Sequence, residues 1–311
     1  TEPEWQSTET RTKKLVCRPG TVTVNCMAAY SEHFYESHDG LSLFYREYGQ
    51  GNPGVPIICL HGIARNSRDF EDFAAHTGQR RHVLALDFRG RGHSAHDPNW
   101  ENYHPQTYAD DVATLLQQRN FSRALLVGTS LGGLVATIVA NIEHDRIAGI
   151  VLNDIAPEIG VAGLQRIETY LGRLPAVATW DEAVAQAREV YGIAWPGLSD
   201  AMWQRIARRG YRENENRVPQ LDMDLAIGDA ARKVGAGLDD PWGLFDGLAN
   251  IPLLVLQGAT SDILTDELVA RMQEHKPDLE HLRVADRGHP LLLDEPECIA
   301  ALDRFIEENN A

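Results

Sequence analysis

The chain has 311 residues, of which 43% are hydrophobic and 24% are charged, a balance typical of a globular protein that buries a large core. Its formal net charge of −16 argues against nucleic acid or an anionic membrane surface as a partner. No apolar stretch is long enough to span a bilayer and the first residues lack the apolar core of a secretory signal, so we expect a cytoplasmic protein.

Residues 1–26 show little hydrophobic periodicity, and we expect them to be a disordered leader. This leader holds Cys17 and Cys26, which are expected to be reduced in a cytoplasmic protein. A disulfide between them is the alternative. Cys59 and Cys298 complete a set of four cysteines that lacks the spacing of a metal site.

The chain from residue 27 onward alternates between strand and helix patterns. Residues 34–48 predict a β-hairpin around Asp39-Gly40, and residues 108–118 predict a helix capped by Thr107. Short apolar runs predict strands buried on both faces, at residues 55–60, 83–86, 125–127, 150–152, 253–256 and 282–284. The alternation favours an α/β fold with a mainly parallel sheet covered by helices on both faces.

The alternation stops between residues 157 and 247, where no clear strand pattern is present. Two helices are predicted there, one from the Thr179 cap to Tyr191 and one over residues 199–209. We therefore expect a helical cap at 157–247, inserted into a core formed by residues 27–156 and 248–311.

The stretch around Ser130 carries the clearest chemical signal. Gly128, Ser130 and Gly132 fit the pattern G-x-S-x-G, and they stand between an apolar strand and an apolar helix. A sharp strand-to-helix turn of this kind lifts a serine hydroxyl clear of the backbone, where a base can activate it. The pattern predicts that Ser130 is a nucleophile.

A nucleophilic serine needs a base and an acid that orients the base. His289 follows the last predicted strand, where parallel sheets place their sites, and is the expected base. Two aspartates compete for the acid, since Asp154 follows one strand and Asp262 follows the next. We favour Asp262, because its strand is expected to lie beside the strand that delivers His289, and Asp154 is the alternative.

Two loops complete the expected site. The backbone N–H groups of Ile63 and Leu131 are positioned to form an oxyanion hole, because Gly62 allows close backbone approach and Leu131 opens a helix. His61 is expected to brace its loop. The charged residues of 87–94 are expected to form a network that stabilises the loop after the next strand.

Taken together, His61-Gly62, the 87–94 loop, residues 128–133, Asp262 and Gly288-His289 resemble an α/β-hydrolase fold serine hydrolase with a helical cap. The resemblance implies Ser130, His289 and Asp262 as the triad, with Ile63 and Leu131 as oxyanion donors and no metal or organic cofactor. It implies cleavage of carboxylic esters of small molecules. A lactonase, a C–C bond hydrolase, a cofactor-free haloperoxidase-like enzyme and a ligand receptor without turnover are the alternatives. Ser130 argues against the family's dehalogenases and epoxide hydrolases, which carry aspartate at this turn.

Overall fold

The computed structural model describes residues 11–12, 30–234 and 239–310. Apart from Arg11–Thr12, the leader expected at residues 1–26 lies outside the described residues, as do Cys17 and Cys26. Cys59 and Cys298 are buried free thiols.

One sheet organises the described part of the chain. Its strands are β1 Arg11–Thr12, β2 Tyr30–Glu36, β3 Ser42–Tyr48, β4 Ile57–Leu60, β5 Val83–Leu86, β6 Ala124–Thr129, β7 Ile147–Asn153, β10 Leu253–Gly258 and β11 Glu280–Val284. In space these strands follow the order β1-β2-β3-β5-β4-β6-β7-β10-β11. The pairings from β5 through β11 are parallel, whereas β1, β2 and β3 join antiparallel at one edge. All six predicted apolar strands and the hairpin are confirmed.

The helices surround this sheet and fill most of the connections. They are α1 Glu71–Thr77, α2 Pro105–Gln118, α3 Leu131–Ile142, α4 Val161–Tyr170, α5 Trp180–Tyr191, α6 Asp200–Gly210, α7 Ala226–Val234, α8 Pro241–Asp246, α9 Asp266–His275 and α10 Pro296–Glu308. Helix α2 begins three residues earlier than the predicted Tyr108, because His104 accepts the N–H of Gln106 and Pro105 occupies the first turn. The expected Thr107 cap is wrong.

The central strands β4, β5, β6, β7 and β10 are buried on both faces, as their apolar runs predict. The expectation was wrong for β11, which is an edge strand and is part-exposed. Successive residues of β4 point to opposite sides, so that Ile58 and Leu60 pack into one apolar core while Ile57 and Cys59 pack into the other. The first core includes residues of α2 and α3, and the second includes residues of α1 and α10. All four β4 side chains are fully buried, and each apolar side chain contributes about 1.5–3 kcal/mol to folding.

The segment between β7 and β10, expected as the cap at 157–247, contains five helices among its described residues. Thr179 and Ser199 cap α5 and α6 through their side chains, which confirms the two predicted helices. The segment also contains an antiparallel hairpin of β8 Tyr211–Glu213 and β9 Pro219–Leu221. The expectation of no strand was wrong here, because three-residue strands are too short to produce a hydrophobic alternation. None of the described helices has the length and apolar character to cross a membrane.

Candidate active site

The carboxyl ends of the parallel strands bring the candidate residues to one edge of the sheet. Ser130 follows β6, Asp154 follows β7 and His289 lies in the loop after β11. Because β6 and β7 are neighbours and β10 separates β7 from β11, these three loops can converge above the middle of the sheet.

Ser130 occupies a strained turn between β6 and α3. Its backbone has φ 51° and ψ −118°, a region that side-chain-bearing residues rarely adopt. The turn depends on the two flanking glycines. A Cβ on Gly132 would lie 1.9 Å from the Leu60 carbonyl oxygen, and one on Gly128 would lie 2.4 Å from the Gly132 carbonyl oxygen. The G-x-S-x-G spacing therefore permits a contact between strand and helix that no larger residue allows.

Three side chains form a hydrogen-bonded chain at this turn. His289 Nε2 lies 2.9 Å from Ser130 Oγ, and His289 Nδ1 lies 2.8 Å from Asp154 Oδ2. An ionised carboxylate only accepts hydrogen bonds, so Nδ1 carries a proton and Nε2 is free to accept the serine proton. Asp154 is fully buried and His289 is nearly so.

The Asp154 carboxylate is held on both oxygens. Oδ1 accepts the N–H of Gly258 at 2.7 Å, and Oδ2 accepts the hydroxyl of Ser261 at 2.5 Å as well as the imidazole. Both Gly258 and Ser261 come from the end of β10 and the loop behind it. These donors fix the carboxylate in place and so fix the plane of the His289 ring.

The preference for Asp262 as the partner of His289 was wrong. Its carboxylate is bidentate with Arg166 of α4, at 2.6 and 2.8 Å, and this pairing lowers the pKa of Asp262. The physical reason lies in the sheet order. β7 is the neighbour of β6, so a residue directly after β7 lies close enough to the serine turn to contact the imidazole that bonds Ser130. Asp262 lies four residues beyond the end of β10.

Asn153 ties the site loops together, and sequence reasoning missed it. Its carbonyl accepts the N–H of Ser130 at 3.0 Å, and its side-chain amide donates to Thr129 Oγ1 and to the Leu291 carbonyl at 3.1 and 3.0 Å. The residue is fully buried. The sequence signal was a polar residue at the last position of an apolar strand, because an amide buried there requires hydrogen-bond partners.

The loop after β4 lies against the nucleophile. A Cβ on Gly62 would be 3.8 Å from Ser130 Cβ, and both Ile63 and Leu131 line the same cavity as Ser130. Leu131 is the first residue of α3, so its N–H has no partner within the helix. The two expected oxyanion donors are therefore on segments that meet at Ser130.

His61 braces this loop, as expected. Its Nε2 accepts the N–H of Phe88 at 3.0 Å, which leaves Nδ1 as the donor to the Gly62 carbonyl at 2.8 Å. Complete burial lowers the pKa of His61 to about 3, so the imidazole stays neutral. The ring thus joins the loops after β4 and β5.

A family model of the alpha/beta hydrolase fold matches residues 55–296. The chain belongs to the α/β-hydrolase fold family. A 3-hydroxybutyrate-oligomer hydrolase of Cupriavidus necator is 28% identical over 271 residues, covering 84% of this chain and 92% of that protein. A 2-(acetamidomethylene)succinate hydrolase of Mesorhizobium japonicum is 25% identical over 279 residues, covering 89% and 97%. The crystal structure of an α/β hydrolase from Novosphingobium aromaticivorans has a TM-score of 0.84 at 38% identity, covering 90% of this chain and 99% of that one.

This α/β hydrolase is therefore an enzyme with hydrolase activity. Charged side chains hold the loop at 87–94 in place. Asp87 accepts the N–H groups of Ser67 and His93 at 2.6 and 2.8 Å, and Arg89 pairs with three carboxylates at 2.5–2.8 Å. The expected loop-stabilising network is confirmed.

A cavity of about 130 Å³ opens beside Ser130 in the hydrolase. Most of its wall is aliphatic. It comes from both the core and the segment between β7 and β10, which we call the inserted segment. The aliphatic lining comprises Ile63, Leu131, Leu134, Ile155, Ile159, Leu164, Ile167, Leu171, Ile227 and Ala231. The charged residues of the lining are Arg91, Glu168 and Arg232. Such a lining packs against the apolar part of a small ligand.

Proposed function

We propose that this enzyme hydrolyses carboxylic esters of small molecules through an acyl-enzyme intermediate. The observation that carries the proposal is the chain of hydrogen bonds from Ser130 Oγ through His289 to the Asp154 carboxylate, at 2.9 and 2.8 Å. Those distances are within the range that nucleophilic catalysis requires of a serine and its base.

In the acylation step, Ser130 Oγ attacks the ester carbonyl carbon while His289 Nε2 takes the hydroxyl proton. The N–H groups of Ile63 and Leu131 donate to the oxyanion, a stabilisation worth about 3–4 kcal/mol for each donor. The C–O bond to the leaving group then breaks, and the imidazolium gives its proton to the departing alkoxide. Asp154 stabilises the imidazolium and keeps its Nδ1 proton in place.

In the deacylation step, a water molecule takes the position of the alcohol. His289 Nε2 removes a proton from this water, which attacks the acyl carbon of the Ser130 ester. The acid leaves, and the proton returns to Ser130 Oγ. Every proton transfer passes through one nitrogen, so the site needs a single base.

The names of the relatives support hydrolysis of derivatives of small carboxylic acids. One is named for hydrolysis of 3-hydroxybutyrate oligomers, and the units of a hydroxy acid oligomer are joined by ester bonds. The aliphatic cavity of about 130 Å³ favours a short acyl chain.

The test is the kcat for a series of methyl esters of graded acyl length, with lactones and vinylogous diketones in the same panel. Ser130→Ala is expected to lower kcat by about three or more orders of magnitude. Labelling of the wild type, but not of Ser130→Ala, by a fluorophosphonate probe is the second readout. Near-normal ester hydrolysis by Ser130→Ala would contradict the proposal. Faster turnover of a lactone or a diketone would change the proposed substrate class and leave the roles of Ser130, His289 and Asp154 unchanged.

A further inference from the structure

Arg91 is a fully buried guanidinium in the wall of the cavity that contains Ser130. Its Nε donates to the Ile63 carbonyl at 3.0 Å, and its Nη1 donates to the Arg89 carbonyl and the Tyr108 hydroxyl at 3.0 and 2.7 Å. Its Nη2 is buried without a hydrogen-bond partner among the described residues. Two N–H bonds of a permanently charged group therefore lack an acceptor.

Among the described residues, no carboxylate oxygen lies within 4.0 Å of this guanidinium. The contrast with Arg89 is sharp, because Arg89 is equally buried and contacts Asp39, Asp97 and Asp111. The rings of Tyr103 and Tyr108 lie 5.8 and 4.7 Å from Arg91 Cζ, which offsets part of the charge but supplies no acceptor.

The other charged residues of the cavity do not neutralise Arg91. Arg232 is paired with Asp229 at 2.7 Å, and Glu168 is solvent-exposed. A buried charge without a partner is unfavourable, and it becomes favourable when a ligand brings the opposite charge. The aliphatic wall keeps the local dielectric low, which strengthens any such pairing.

We propose that Arg91 binds a carboxylate carried by the substrate, so that the preferred substrate is an ester with a free carboxylate at its non-reacting end. This inference rests on the proposed ester hydrolysis at Ser130. Half-esters of short dicarboxylic acids belong to this class, as do short hydroxy acids that are acylated on the hydroxyl and keep a free carboxylate. The Nη2 group of Arg91 donates to the carboxylate, and the aliphatic lining packs on the carbon chain between the two ends. A charge-assisted bond of this kind is stronger than a neutral one.

The first experiment compares matched pairs of substrates. Monomethyl succinate, glutarate and adipate are each paired with the methyl ester in which a methyl group replaces the carboxylate, namely methyl butanoate, pentanoate and hexanoate. At the best-fitting length, we expect the KM of the half-ester to be lower by about tenfold or more, with similar kcat values. A wild type that shows no preference at any of the three lengths overturns the inference.

Arg91→Gln tests the assignment of the residue. Because Arg91 also holds the Ile63 carbonyl, the substitution is expected to lower kcat for both members of a pair. The decisive quantity is the kcat/KM of the half-ester divided by the kcat/KM of the matched neutral ester. Arg91→Gln is expected to lower this ratio by about tenfold or more, because the KM of the half-ester rises. Arg91→Lys keeps the charge and is expected to restore part of the ratio. Equal losses on both substrates would leave Arg91 with a bracing role only and would overturn the inference.

A binding measurement separates this inference from the proposed function. Calorimetry measures the Kd of the three half-esters for Ser130→Ala and for Ser130→Ala/Arg91→Gln, which needs no turnover. We expect binding that weakens by about tenfold or more when Arg91 is replaced. If neutral esters are hydrolysed but no half-ester binds in an Arg91-dependent way, the carboxylate site fails and the ester hydrolase stands. If binding depends on Arg91 but no ester is hydrolysed, the site stands and the ester hydrolase fails.

Discussion

Two aspartates at the same edge of the sheet differ in what their carboxylates contact. Asp154 is fully buried and accepts from His289, Gly258 and Ser261, whereas Asp262 is part-exposed and paired with Arg166. A carboxylate that accepts the Nδ1 proton of the imidazole stabilises its charged form directly during the reaction, whereas the Asp262 carboxylate is engaged by Arg166. The roles of the two residues are therefore separable by substitution.

Asp154→Asn is expected to lower kcat on a short neutral ester by about three to four orders of magnitude, because the amide no longer stabilises the imidazolium. Asp262→Asn is the matched control and is expected to keep kcat within about threefold of the wild type. It weakens only the part-exposed ion pair between Asp262 and Arg166 of α4. Steady-state kinetics measure both, with circular dichroism as the check on folding. The reverse pattern would return the catalytic role to Asp262.

At the scale of elements, the inserted segment supports the loop that carries His289. Trp195, just after α5, donates its indole N–H to the Pro290 carbonyl at 2.6 Å, and the Ala194 carbonyl accepts the N–H of Gly288 at 2.7 Å. These two bonds flank the histidine on both sides. The base is thus positioned by the inserted segment as well as by the sheet.

Trp195→Phe removes one of these bonds while keeping an aromatic ring. We expect kcat to fall by about three- to tenfold, since one neutral hydrogen bond contributes about 0.5–1.5 kcal/mol to holding the loop, with a smaller change in KM. Trp242→Phe is the matched control, because the buried indole N–H of Trp242 has no hydrogen-bond partner among the described residues. It is expected to leave kcat unchanged. Equal kcat values for the two variants would show that the Trp195 bond does not position His289.

The elements also show which parts of the molecule the sequence could predict. The apolar strands and the capped helices α5 and α6 were predictable because their signals are local: a run of apolar residues, or a threonine or serine before a helix. The hairpin β8–β9 was not, since its strands have three residues each. The choice between Asp154 and Asp262 failed because it depends on which strand lies beside β6, and this order is a property of the whole sheet.

At the scale of the whole molecule, the loops after β4 and β5 belong to different parts of the chain and are joined by the buried ring of His61. The ring bonds Phe88 N–H on one side and the Gly62 carbonyl on the other, and both bonds require the neutral imidazole. Folding therefore stabilises the neutral form of a residue that the unfolded chain protonates near pH 6.5. The stability of the fold must then depend on pH.

The sign follows from the direction of the pKa change. Burial lowers the pKa of His61 to about 3, so its contribution is fully present above pH 6.5 and is lost as the pH falls toward 3. The loss begins near pH 6.5, where the unfolded chain starts to bind the proton, and then amounts to about 1.4 kcal/mol per pH unit. From pH 7 to pH 5 it totals about 2 kcal/mol. In urea denaturation, the stability of His61→Gln relative to wild type is expected to rise by that amount over the same interval, because glutamine does not titrate. The exposed His144→Gln is the control and is expected to follow the wild type. Parallel curves for wild type and His61→Gln would mean that His61 binds a proton in the folded chain as readily as in the unfolded chain, so that burial does not lower its pKa.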